Sequence, residues 1–73
     1  MKILFFGRLK DGAPHSVPPE IRDTDALRAW LGHDRPELLD TSIRIAVNDE
    51  MILGNRALDE GDEIAFLPPV SGG

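Results

Sequence analysis

Apolar positions along the chain fall into short strand-like runs and one helical stripe. Lys2-Ile3-Leu4-Phe5-Phe6-Gly7-Arg8 is an aliphatic and aromatic run closed by the breaker cluster Lys10-Asp11-Gly12-Ala13-Pro14, which predicts a strand and then a turn. It begins at Met1, so no leader is expected before it. His15 to Pro18 can form a second strand, confined to a short edge because Pro14, Pro18 and Pro19 remove donors. Asp23-Thr24-Asp25 supplies a capping side chain and first-turn negative charge. Leu27, Trp30 and Leu31 then fall on one helix face, with Gly32 as the expected stop. Pro36-Glu37-Leu38-Leu39-Asp40 reads as a further helical turn. Ile43 to Val47, a turn at Asn48-Asp49 and Met51-Ile52-Leu53 form a hairpin. Leu58 to Asp62 is an acidic turn with Gly61 at a position where positive φ is cheap, and Glu63 to Leu67 is the last strand, ended by Pro68-Pro69.

One helix among four to five strands predicts a mixed α+β sheet with that helix packed on one face. The first and last strands are the most apolar and are expected side by side at the centre. The layout is the β-grasp, or ubiquitin-like, fold, with a domain over residues 1–69 and a flexible tail over 70–73. The apolar content exceeds what one helix can cover. If Ile3 and Phe5 face the helix with Ile64 and Phe66, then Leu4, Phe6, Ala65 and Leu67 point to the other face. Beside Pro68, Pro69 and Val70 they form a patch of the kind that marks a partner interface. The bland alternatives are that loops 10–20 and 54–60 fold across that face, or that the protein self-associates through it.

Composition narrows the function. At 73 residues there is room for one small core and little for an enzyme pocket with supporting shells. Cysteine is absent and there are two histidines, which excludes disulfides and thiolate chemistry; His15 and His33 stand alone, so no metal site is expected. The net charge of −5, with no basic cluster, disfavours nucleic acid. No apolar run is long enough for a membrane span, and the cytoplasm is the expected compartment. Asp59, Glu60, Asp62 and Glu63 lack the spacing of a calcium loop and read as a solvated turn, expected to contribute an acidic interface rim.

The ending Pro68-Pro69-Val70-Ser71-Gly72-Gly73 has its own chemistry. Two prolines stiffen the exit from the strand, and two glycines let the tip pass a channel too narrow for a Cβ. The tip carries an α-carboxylate, a poor electrophile until it is made an anhydride. Ser71 has no base partner in the sequence.

Leu4-Phe5-Phe6, Thr24-Asp25-Ala26-Leu27-Arg28, Ala46-Val47-Asn48 and the stretch from Gly61 to Gly73 resemble the small, sulfur-carrying subunit of molybdopterin synthase, the MoaD family. The resemblance spans the whole chain and is most specific at the Pro-Pro-Val-x-Gly-Gly end. It implies that Gly73 is adenylated with ATP by an activating enzyme related to those of ubiquitin and converted to a thiocarboxylate. The tail, through Val70, Ser71 and Gly72, then threads into the large subunit. There the thiocarboxylate donates sulfur to cyclic pyranopterin monophosphate in molybdenum cofactor biosynthesis. Leu4, Phe6, Leu67, Pro68 and Pro69 are the expected interface, and no cofactor is expected to be bound permanently. Catalytic side chains are expected in the large subunit, so the chain is read as a non-autonomous subunit of a sulfurtransferase. Three rival readings stay open: a thiamine-pathway sulfur carrier, a ubiquitin-like modifier, and a non-catalytic β-grasp binding module with an inert end.

Overall fold

The computed structural model describes residues 1–9 and 12–69. Its sheet has the order β1-β4-β2-β3, with β1 at Lys2–Phe5, β2 at Arg44–Val47, β3 at Glu50–Met51 and β4 at Glu63–Leu67. β1 and β4 pair in parallel, with Ile3 opposite Ile64 and Phe5 opposite Phe66. All four of these side chains are buried, and the Phe5 and Phe66 rings meet edge to face at 5.7 Å. The first and last strands are therefore adjacent, as expected, but β1 is an edge rather than a central strand. Residues 15–18 form no strand, which leaves four strands. Prolines at 14, 18 and 19 deny that stretch a ladder. Val17, with Ala13 and Ile21, packs against the core instead.

β4 also pairs antiparallel with β2, and β2 with β3. Asn48 and Asp49 have φ of 52° and 68° between the paired residues Val47 and Glu50, the signature of a two-residue type I′ hairpin turn. The return strand is shorter than expected, although Ile52 N–H still donates to Ile45 O at 3.1 Å.

The helix α1 spans Thr24–Asp34, with Asp23 as N-cap accepting from Ala26 N–H at 2.8 Å. It does not stop at Gly32. That residue is buried within it, and a Cβ there would lie 2.5 Å from Leu39 Cδ2. Gly32 is thus a notch that admits the following 3₁₀ turn, Pro36–Leu39. Leu27 and Leu31 of α1 and Leu38 of that turn enter the core, while Trp30 is half-buried against it. Among the described residues no helix is long and apolar enough to cross a membrane.

Polar clamps hold the loops around this core. Arg28 donates to three carbonyls, Leu38 O at 2.7 Å, Asp40 O at 3.0 Å and Ile43 O at 2.8 Å, which stitches the helix to the chain leading into β2. Buried Thr24 accepts from Arg56 N–H at 2.9 Å through its hydroxyl, fixing the loop before β4 to the helix start. The acidic turn is ordered by Asp62, whose carboxylate accepts from Asp59 N–H at 2.8 Å and Asn48 Nδ2 at 2.9 Å. Gly61 has no left-handed φ there. The turn is held by side-chain acceptance rather than by glycine.

Two outcomes follow from these clamps. Arg28→Met leaves two part-buried carbonyls without their charged donor and lowers unfolding free energy by about 1–3 kcal/mol in urea titrations. The backbone N–H groups of Asp59 and Ser42 hold the carboxyls of Asp62 and Asp40 below the usual carboxylate range, helped by the side chains of Asn48 and Ser42. Because these pKa values are lower folded than unfolded, the unfolded chain binds more protons in acid. Their stabilisation is present above the ordinary carboxylate pKa of about 4 and is lost as pH falls through the folded values. The urea midpoint therefore drops on acidification, and Asp62→Asn makes that drop shallower.

Candidate functional site

Strand alternation divides the sheet into two unlike faces. Ile3, Phe5, Ile64, Phe66, Ile45 and Val47 are buried beneath α1 and the loops. On the opposite face the register sets Leu4 against Ala65, Ala65 against Ala46, Ala46 against Met51, and Leu67 against Arg44. Leu4, Ala65 and Leu67 are half-buried, while Phe6 and Met51 remain 46% and 55% exposed. Ala13, Val17, Ile21 and Leu58, from the loops that could have covered this face, pack into the core instead. Among the described residues no loop covers the apolar face, and four of the five expected interface residues, Leu4, Phe6, Leu67 and Pro68, lie on it or at its margin half-buried to exposed. Pro69 follows them and is exposed.

At the end of this face where β4 finishes, a contact forms that the sequence pattern did not reveal. Phe6 N–H donates to Phe66 O at 3.1 Å, extending the ladder by one bond beyond β1. Gly7 then turns the chain with φ of +58° into the 3₁₀ turn Gly7–Leu9, which buries Leu9. A Cβ on Gly7 would lie 2.9 Å from Pro68 Cγ. Gly7 thus ends the first strand early and receives the proline that leads the chain out of the last one. Only the bare Phe-Gly step hinted at it, and its partner is distant in sequence.

Asp40, Thr41, Ser42, Arg44, Met51, Leu67, Pro68 and Pro69 enclose a shallow depression beside this exit. The acidic residues Asp59, Glu60 and Asp62 precede β4, so they lie at the other end of the sheet, where the Met1 amino group donates to Glu60 O. Glu63 shares the open face with Lys2, directly opposite it. The expected acidic rim is thus concentrated far from the exit, and the charge beside the exit includes a cation, Arg44. His15 and His33 are both exposed, and no group of three or more metal-ligating side chains forms among the described residues. Val70, Ser71, Gly72 and Gly73 lie outside the described residues.

A match to the ThiS family extends over residues 3–73. The chain belongs to the ThiS family. Within it, the chain is 31% identical to the molybdopterin synthase sulfur carrier subunit of Escherichia coli K12, across all of this chain and 99% of that protein. A solved complex of subunits 1 and 2 of molybdopterin-converting factor from Helicobacter pylori 26695 contains a chain 36% identical to this one. The two superpose with a TM-score of 0.68, covering 97% of this chain and 95% of that one. The MoaD resemblance carried by the paired phenylalanines and the Pro-Pro-Val-Ser-Gly-Gly end is borne out, as is the β-grasp fold.

The Gly7–Pro68 contact has a measurable cost when disturbed. Gly7→Ala combines left-handed backbone strain with the approach to Pro68 and lowers unfolding free energy by about 1–3 kcal/mol in urea. Gly61→Ala, where no atom lies within 4 Å of the added methyl group, changes it by less than about 0.5 kcal/mol.

Proposed function

We propose that this family member is the sulfur-carrier subunit of a molybdopterin synthase, and that its working group is the carboxylate of Gly73. The carrying observation is its end-to-end likeness to a molybdopterin synthase sulfur carrier, joined to an apolar sheet face that the described residues leave uncovered. An isolated carrier has no use for such a face. A subunit that docks beside its own tail exit does.

In this reading the Gly73 carboxylate attacks the α-phosphate of ATP on an activating enzyme related to those of ubiquitin, releasing pyrophosphate. The resulting acyl-adenylate is a mixed anhydride, so a sulfur nucleophile at the sulfide level displaces AMP and leaves a thiocarboxylate. The large subunit receives the tail, and the thiocarboxylate sulfur attacks cyclic pyranopterin monophosphate. Hydrolysis of the acyl link returns the carboxylate for the next cycle. ATP is a substrate of the activating enzyme and not a resident of this chain. Leu4, Phe6, Leu67, Pro68 and Pro69 form the docking surface. Gly72, Ser71 and Val70 thread the channel, where glycine lets the backbone approach the reacting centre closely.

The solved Helicobacter pylori relative is described as a complex of two subunits, which supports a large-subunit partner here. Likeness to a molybdopterin carrier favours this pathway over the thiamine one, and a sulfide acceptor over the amine of a ubiquitin-like modifier.

Adding one residue after Gly73 moves the carboxylate by roughly 3.5 Å from the position of attack. Such a protein, with its extension verified by mass, abolishes acyl-adenylate formation with the purified activating enzyme while its unfolding curve stays parental. Precursor conversion at the parental rate by the intact extended protein would refute the terminal-carboxylate mechanism and favour the inert binding module.

A further inference from the structure

Every strand of the open face presents apolar or small side chains near its middle, and β2 adds one exception at the tail-exit end. Arg44 stands there directly opposite Leu67, exposed, in the depression that Pro68 and Met51 also line. Some other cations of the fold face groups of their own chain. Arg28 holds three carbonyls, Arg35 lies 4.6 Å above the Phe5 ring and pairs with Glu37, and Lys2 stands opposite Glu63. Arg44 makes no hydrogen bond or ion pair with any described residue. The acid that lines the depression, Asp40, is exposed and accepts from Ser42 N–H at 2.9 Å.

A guanidinium at the end of an interface strand, with a leucine as its cross-strand neighbour, is stripped of water when a partner covers that leucine. Left unpaired, it would oppose docking. A forked donor of this kind is matched by a carboxylate, which accepts two parallel hydrogen bonds.

Resting on the reading above, we propose that Arg44 is a specificity-determining residue whose guanidinium pairs with a carboxylate side chain of the large subunit. The pair forms beside Leu67 and fixes the position of the tail exit. Apolar contact from Leu4, Phe6 and Leu67 supplies area without direction, whereas a bidentate pair at the exit sets the register in which the tail meets its channel. The acids before β4 cannot do this, because they sit at the end of the sheet opposite the exit. The cation also discriminates: a partner presenting an apolar or basic residue at that point meets an unpaired charge.

The test measures binding to the purified large molybdopterin synthase subunit of the same organism, by equilibrium titration at low and at physiological ionic strength. Arg44→Met is expected to weaken binding at least about 10-fold and to flatten its salt dependence. Arg44→Glu weakens it further, and Arg44→Lys, which keeps the charge without the fork, falls between Arg44→Met and the parental protein. All three keep the parental unfolding midpoint within a few degrees, because the Arg44 side chain is exposed and makes no hydrogen bond or ion pair with a described residue. An Arg44→Met protein that binds as tightly as the parental one, or more tightly, overturns the proposal and leaves apolar contact as the whole of the interaction there. Failure of the parental protein to bind the large subunit overturns the carrier reading and, with it, the assignment of Arg44.

Discussion

The parallel pairing of β1 with β4 is the constraint on which the rest of the molecule depends. It joins the two most apolar segments, one from each end of the chain, so the core cannot be completed until both are in place. Ile3 with Ile64 and Phe5 with Phe66 fill its centre, and α1 has its buried face only because those side chains lie beneath it. The long loops on either side are secondary to this pairing. Each is held by bonds to an element it already touches, as with Thr24 and Arg56 at the helix start or Arg28 and the carbonyls before β2.

Strands so apolar are two-sided, and a chain this short has one helix to spend. The loops that could have shielded the second face contribute Ala13, Val17, Ile21 and Leu58 to the first, where they complete a core that α1 alone leaves open. The exposed Phe6 and Met51 are therefore a consequence of how the core is completed, and the open apolar face comes with the fold rather than being added to it.

Local chemistry made most of this legible in the sequence. β4 runs from Glu63 to Leu67 as the apolar period and Pro68 require. The cap at Asp23 starts α1, and Asn48-Asp49 makes the hairpin turn. Period-two alternation set Leu4, Phe6, Ala65 and Leu67 on the face opposite Ile3, Phe5, Ile64 and Phe66, and only the packing of the helix decides which set is covered. What stayed hidden depended on distant partners. Gly32 looks like a stop until Leu39 is seen packed into the space a side chain would take. Gly7 looks like part of a strand until Pro68 lies against it. Nothing in the local sequence marks Arg44, because its neighbour Leu67 is set by the β2–β4 register. The edge strand over residues 15–18 failed for the reason already visible, its prolines. Without it β1 moved from the centre of the sheet to its edge.

Because β1 and β4 run in the same direction, the two ends of the described fold are separated by the length of the strands they share. Met1 is tied by its amino group to Glu60 at one end, and Pro68 leaves at the other, with a β4 of five residues spanning about 17 Å between them. An antiparallel pair would have set the first residue beside the exit. Here the amino end is remote from it, so an affinity handle or a fluorescent protein fused ahead of Met1 sits at the opposite end of the sheet from the exit. Its one local effect is to replace the charged amine that meets Glu60 by an amide, which makes the amino end the natural place to attach the protein to a surface.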